Sequence, residues 1–270
     1  MFDEFFRTTL SLGVLVLLLA WESLSPFFKH FEGKLRDRGW HGARNLGLGV
    51  LNAVLNGLFC AGLWLVVTRW TNLHDFGILY WGDLPTWGRL VGAFLLLDLW
   101  MYGWHRLNHR VPFLWRFHRV HHSDRQMDVT TASRFHFGEI VMSCCFRAPV
   151  IALVGVEFWE LTAYEVTMFF VAQFHHANVG LPLRIERFLR SIIVTPVMHK
   201  VHHSRWQPET DSNYAAIFSF WDRLFRTFRL RKDPRQIRLG LNDSLPVESE
   251  NFRAILLSPI RKRTDGVGRK

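Results

Sequence analysis

The sequence predicts an all-α protein: a polytopic membrane helical bundle with a cytoplasmic helical cap. Three observations predict it. The apolar residues, 49% of a 270-residue chain, fall in long blocks almost free of charge. Histidines recur at spacings of three and four, the period that places side chains on one helix face. Basic residues gather in alternate connections between the apolar blocks.

The first apolar block, Thr8–Trp21, reaches spanning length only by running past Glu22 to Ser25, ahead of Pro26. The residues before it include Asp3, Glu4 and Arg7 and are not net positive, and no small-x-small cleavage pattern follows, so a retained anchor is expected. Leu46–Thr68 runs 23 residues without a charge, enough to cross a hydrocarbon core at about 1.5 Å per residue. The third block, from about Trp87 to Trp104, is interrupted by Arg89 and Asp98. The fourth, Ile140–Val156, contains Arg147 and Pro149, and the fifth, Phe158–Phe174, contains Glu160 and Glu165. Charges inside a span face the bundle interior or a polar cavity, so these blocks are expected to pack against protein. The last two either cross the membrane or form a hairpin that dips into it.

Lys29, Lys34, Arg36, Arg38 and Arg44 lie between the first two blocks, Thr71–Thr86 has no Lys or Arg, and six arginines, at 106, 110, 116, 119, 125 and 134, follow the third block. Positive connections favour the cytoplasmic side, which puts the N-terminus outside and residues 105–136 inside. The net charge of +10 is thereby a topological signal, with the basic tail on the anionic inner leaflet, and no nucleic-acid partner is expected. Cys60, Cys144 and Cys145 all lie in apolar blocks without a ligand spacing and read as packing residues.

Eleven of the fourteen histidines lie between 105 and 203. They form His105 and His109 in "HRLNH", His118, His121 and His122 in "HRVHH", His136, the pair His175 and His176, and His199, His202 and His203 in "HKVHH". If the groups share one site, an even number of spans must separate residues 105–136 from 175–203, and residues 140–174 supply two. The eight histidines of the HxxxH and two HxxHH groups exceed what one metal uses, so two metals are implied, and imidazole alone does not name the metal. The expected cap therefore holds a histidine-rich dinuclear metal site. The HExxH arrangement of zinc proteases is absent from all three groups. Asp98, Tyr102, His105 and His109 share one helix face; Asp98 is then placed to accept the second ring N–H of a ligand, or else to pair helices. His30, His41 and His74 read as core or interface histidines, and Ser123 and Ser204, each following an HxxHH group, as caps or hydrogen-bond partners of ligands.

Six segments, "DLWMYGWHRLNH" (98–109), "FHRVHHS" (117–123), "RFHFGE" (134–139), "QFHHANVGLP" (173–182), "VTPVMHKVHHS" (194–204) and "TDSNYAAIFSFWDRLFRTF" (210–228), resemble in order and spacing the fatty acid hydroxylase, or sterol desaturase, superfamily of membrane di-metal oxidases, notably its bacterial-type members. The resemblance covers roughly residues 90–230, leaving 1–89 as membrane anchor segments and 231–270 as a basic tail. It implies oxygen-dependent hydroxylation or desaturation of an alkyl carbon of a lipid, with two iron ions, or zinc in recombinant material, and dioxygen as co-substrate. Electrons would come from a separate donor protein, and the site would face the cytoplasm at the cell (inner) membrane. The ligands implied are His105, His109, His118, His121, His122, His176, His199, His202 and His203, with His136 as ligand or hydrogen-bond donor and His175 at a more variable place. Asn178, Asp211 and Asn213 match polar family positions that orient ligands or a water, or cap loops. Phe137 and Arg226 depart from the family's proline and glycine, which bears on local turns. The alternative is a non-oxidative zinc-binding membrane protein or metal-dependent hydrolase that keeps the same histidines.

Overall fold

The computed structural model describes residues 2–31, 34–241 and 252–260, with side chains from Thr9 onward. Among these residues the chain is all-helical, with isolated bridges and no strand. The basic tail lies partly outside them, at 242–251 and 261–270.

Helix α1 (Phe2–Leu24) carries the first apolar block. The second forms α2 (Leu35–Leu55), a π-helical segment (Asn56–Cys60) and α3 (Ala61–Leu73), three nearly continuous pieces. Helix α4 (Thr86–Arg110) runs through the third block and on through "HRLNH". Then come α5 (Pro112–His122), begun by proline at its first turn, where no N–H partner is needed, and α6 (Phe137–Val154) and α7 (Phe158–His176). Shorter helices follow: α8 (Leu183–Ile192), α9 (Pro196–His202), α10 (Gln207–Thr210), α11 (Phe220–Leu224) and α12 (Phe252–Leu257).

Leu35–Tyr80 and Phe137–Val154 are long and apolar enough to cross a membrane by length and composition. Helices α4 and α7 fall short of that test because they carry charge, and the charge is paired inside the bundle. Arg89 meets the fully buried Glu160 at 3.3 Å, and Arg147 pairs with Glu165. The outside of the bundle is apolar: Val16, Leu58 and Val66 are each more than 60% exposed.

The long helices share two ends. At one, Gly77 in the turn after α3 touches Gly155 after α6; a Cβ on Gly77 would lie 2.4 Å from Gly155 Cα, and both glycines have positive φ. Arg89 near the start of α4 donates to Gly155 O at the same end. At the other end, Glu22 of α1 accepts N–H bonds from Val129 (3.1 Å) and Asn178 (2.9 Å). There His41 of α2 meets Asp124 after α5, and every histidine group converges. Each apolar helix therefore delivers or braces that end.

Asp98 does not accept a ring N–H from a histidine. Two turns before His105, its carboxylate is filled by four other donors, Tyr164 Oη (3.1 Å), Ile217 N (3.1 Å), Phe218 N (2.9 Å) and Trp221 Nε1 (3.0 Å). It ties α4 to α7, to the two residues Ile217 and Phe218 before α11, and to α11 itself through Trp221. Arg226, where a glycine is the family's residue, holds φ +59, the left-handed region that glycine enters without steric penalty.

Candidate metal centre

Nine buried or half-buried histidines from four helices form two groups at this end of the bundle. His105, His109, His118, His122 and His202 offer ring nitrogens within 4.8 Å of one another, and so do His121, His176, His199 and His203. The two HxxHH helices are shared between the groups. Helix α5 sends His118 and His122 to the first and His121 to the second; α9 sends His199 and His203 to the second and His202 to the first. At about 100° per residue, positions i and i+4 lie close on the helix wheel while i+3 diverges from i+4 by about 100°. One phrase written twice thus builds two interlocked clusters, and rings from the two stack: His122 on His203 at 4.5 Å between centroids, and His199 on His202 at 5.2 Å.

Outer contacts determine which ring nitrogen faces inward. His105 Nδ1 donates to Tyr214 O (2.8 Å), His202 Nδ1 to Ser212 O (2.7 Å) and His176 Nδ1 to Ala172 O (2.7 Å). His118 Nδ1 donates to the Glu139 carboxylate (2.8 Å). With the proton held at Nδ1, each Nε2 turns a lone pair into its group. His176 Nε2 stands 3.0 Å from both His121 Nε2 and His199 Nε2; His199 Nε2 is 3.1 Å from His203 Nε2, and His118 Nε2 is 3.2 Å from His122 Nε2.

Four such nitrogens in the second group cannot satisfy one another. Each neutral ring has one proton, and Nδ1 of His121, His199 and His203 is buried without a hydrogen bond. A cation among the Nε2 atoms accepts the lone pairs that are otherwise set against each other, and ligands on bonds of about 2.1 Å sit about 3 Å apart at right angles. The residues fit a pair of metal ions. Burial pushes His121, His122, His199 and His203 well below the ordinary imidazole pKa and His202 down to about 3, keeping the rings neutral as ligands must be.

The remaining candidates lie around these groups. His175 packs its ring on His199 at 3.9 Å but belongs to neither group. His136 also falls outside: its Nδ1 accepts Gly138 N–H and caps α6, and its Nε2 donates to Leu256 O. Asp211 Oδ1 reaches His109 Nδ1 at 3.5 Å. Asn178 brackets the backbone of Phe28 with both amide atoms, and Asn213, at φ +54, bonds Met198 O, Arg229 O and Arg229 N; both act as loop clamps. Glu139, the partner of His118, went unassigned from sequence although it ends "RFHFGE"; a carboxylate three residues after a histidine has no spacing that marks it.

A second buried network stands beside the histidine groups, with Asp124 and Asp128 near His176 of the second. His41 places Nε2 3.0 Å from Asp124 and Nδ1 3.3 Å from Asp128, Asn45 donates to Thr130 (3.0 Å), and Arg134 donates to Asn45 (3.0 Å), Ser123 and Val120 O. It locks α2 to the loop that leaves "HRVHH". Buried Lys200, between His199 and Val201, donates to Ala177 O (2.7 Å) and fastens α9 to the end of α7.

The family model for fatty acid hydroxylase matches residues 90–227, just over half of the chain. Among curated proteins, the alkylglycerol monooxygenase of Homo sapiens is 29% identical over 228 residues, covering 83% of this chain and 47% of the relative. That of Danio rerio is 34% identical over 165 residues, 61% of this chain and 35% of the relative. The ornithine lipid hydroxylase OlsE of Rhizobium tropici is 27% identical over 197 residues, 71% of this chain and 57% of the relative. The chain thus spans about half the length, or less, of these relatives. No solved structure matches it. The match over residues 90–227 contains all nine clustered histidines together with Glu139 and Asp98, and the chain belongs to the fatty acid hydroxylase family.

Proposed function

We propose that this protein is an integral membrane, oxygen-dependent di-iron oxidase that hydroxylates an alkyl carbon of a lipid. The observation that carries the reading is the pair of buried, all-histidine groups at one end of an apolar bundle. Bound iron would supply dioxygen activation and C–H oxidation, chemistry that neutral nitrogen donors favour by leaving the metal charge uncompensated. His105, His109, His118, His122 and His202 would hold one ion, and His121, His176, His199 and His203 the other.

The protein's own groups hold and orient. Glu139 and the carbonyls of Ala172, Ser212 and Tyr214 keep their histidines in the tautomer that presents Nε2 inward. Asp211 stands beside His109, 3.5 Å from its Nδ1. The apolar exterior of α1, α2–α3 and α6 would sit in lipid, with the histidine end on the cytoplasmic face, the N-terminus outside and the five long segments all crossing. This arrangement is supported by the placement of all nine clustered histidines at one end and by the basic residues of 105–136 there. Electrons would come from a separate donor protein. The similarity to proteins named alkylglycerol monooxygenase and ornithine lipid hydroxylase favours a long-chain lipid substrate.

The test is metal analysis of protein purified from iron-supplemented cells, followed by oxygen uptake and product analysis on alkylglycerol, ornithine lipid and sterol. Two metals per chain, iron among them, with uptake matched to an alcohol product supports the reading. Zinc alone, with no uptake on any lipid, would replace it with the non-oxidative zinc protein.

A further inference from the structure

Helix α8 turns the usual amphipathic pattern inside out. Its protein-facing side is a carboxylate: Glu186 is buried and accepts the Thr195 hydroxyl at 2.5 Å, with Arg190 at 3.5 Å. Its outer side is apolar, with Ile185 48%, Phe188 66% and Ile192 47% exposed. At about 100° per residue these three and half-buried Leu189 fall within an arc of about 100°. Arg184, exposed, lies beside that arc, while Arg187, also exposed, lies on the opposite side of the helix.

We propose that α8 lies flat in the headgroup layer of an anionic phospholipid membrane, with Ile185, Phe188 and Ile192 among the upper acyl carbons and Arg184 on lipid phosphates. Three side chains fall far short of the roughly 800 Å² that each partner commits to a stable protein interface. A narrow apolar face edged by arginine is instead the pattern of a helix that rests in a membrane interface. The proposal rests on the membrane reading above and adds a second, in-plane contact on the histidine side. Thr195, held by Glu186, begins the helix that carries His199, His202 and His203. The level of α8 at the lipid surface therefore sets the level of the metal centre above the leaflet that holds the substrate.

The test uses the full chain in lipid nanodiscs of phosphatidylcholine, with or without phosphatidylglycerol. Cys145 is exposed while Cys60 and Cys144 are buried, so a Cys145→Ala background takes an environment-sensitive dye at one chosen site. Phe188→Cys reports on α8, and Leu58→Cys, on the apolar exterior, reports on the membrane reading itself. The expected result is a Phe188→Cys dye quenched by lipids brominated high on the acyl chain, shielded from aqueous iodide, and more so with phosphatidylglycerol. Arg184→Glu should remove that phosphatidylglycerol gain, and Arg187→Glu, on the opposite side, should leave it. A position-188 dye open to iodide while the position-58 dye is quenched by lipid overturns the proposal and leaves the membrane reading standing. Shielding at 188 without lipid quenching means a protein covers the face, and this too overturns it. Equal quenching in both lipids overturns its anionic part. A position-58 dye open to iodide overturns both readings.

Discussion

The ring of His118 and the carboxylate of Glu139 meet at 2.8 Å, both buried, across the loop that joins α5 to α6. This contact holds the His118 proton at Nδ1 and so aims Nε2 at His122. Glu139→Gln keeps the size but loses the charge, and metal affinity at the five-histidine group should fall about 10- to 100-fold. Competition with a chelator measures it; unchanged affinity would reduce Glu139 to a packing role.

The interlocked groups predict how single losses behave. Removing His202 should strip metal from the five-histidine group and removing His199 from the four-histidine group, so each alanine variant should retain about one ion where the wild type holds two. Metal analysis of the purified variants decides this. Retention of both ions in either variant would break the assignment of that ring.

Acid should release metal and stability together. His202 is held at about 3 by burial, against an ordinary value of 6.5, and His121, His122, His199 and His203 are also held well below it. These groups bind protons in the unfolded chain before they do so in the folded one, so stability falls as pH drops below about 6.5 and continues to fall toward 3. Thermal melts of metal-free protein in this window should show a steep decline; a flat profile would mean that the rings are accessible to solvent protons.

The His41 network behaves with the opposite sign. Burial lowers the His41 pKa, but Asp124 and Asp128 outweigh it and raise the pKa to about 10. The stabilisation is complete below about 6.5 and is lost as pH rises through 10. His41→Gln should cost about 3 kcal/mol at pH 6, as expected for breaking a buried pair, and much less at pH 10. An equal cost at both values would mean that the imidazole acts as a neutral packing group.

At Arg226 a glycine should improve the fold. The left-handed backbone costs a residue with a Cβ about 1 kcal/mol, and Arg226 is exposed, so little packing is lost. Arg226→Gly should raise the melting temperature; a fall would show that the side chain holds a contact worth more than the backbone strain.

All five apolar blocks became helical, because an unbroken apolar run such as Leu46–Thr68, free of proline, satisfies its backbone hydrogen bonds within itself only as a helix. The histidine groups were equally plain, since spacings of three and four survive any packing of the helix that carries them. What was not plain was the destination of each outer hydrogen bond. Asp98 shares a helix face with His105 and His109, yet Tyr164, Trp221 and two backbone amides claim it, donors lying 66 to 123 residues away in sequence. Glu139 and His41 offered no periodic signal at all, because a partner reached across a loop or from another helix leaves no spacing in the chain.

The sequence by itself determined the helical class, the nine clustered histidines and the family, since hydrophobic period and ligand spacing are local properties of a chain. The tertiary structure alone decided that i and i+4 of each HxxHH phrase serve one cluster while i+3 crosses to the other. It also decided that His136 caps a helix and that α8 turns its apolar face outward. These outcomes depend on which surfaces the packed helices present to one another, and a side chain's direction across an interface is set by the fold as a whole.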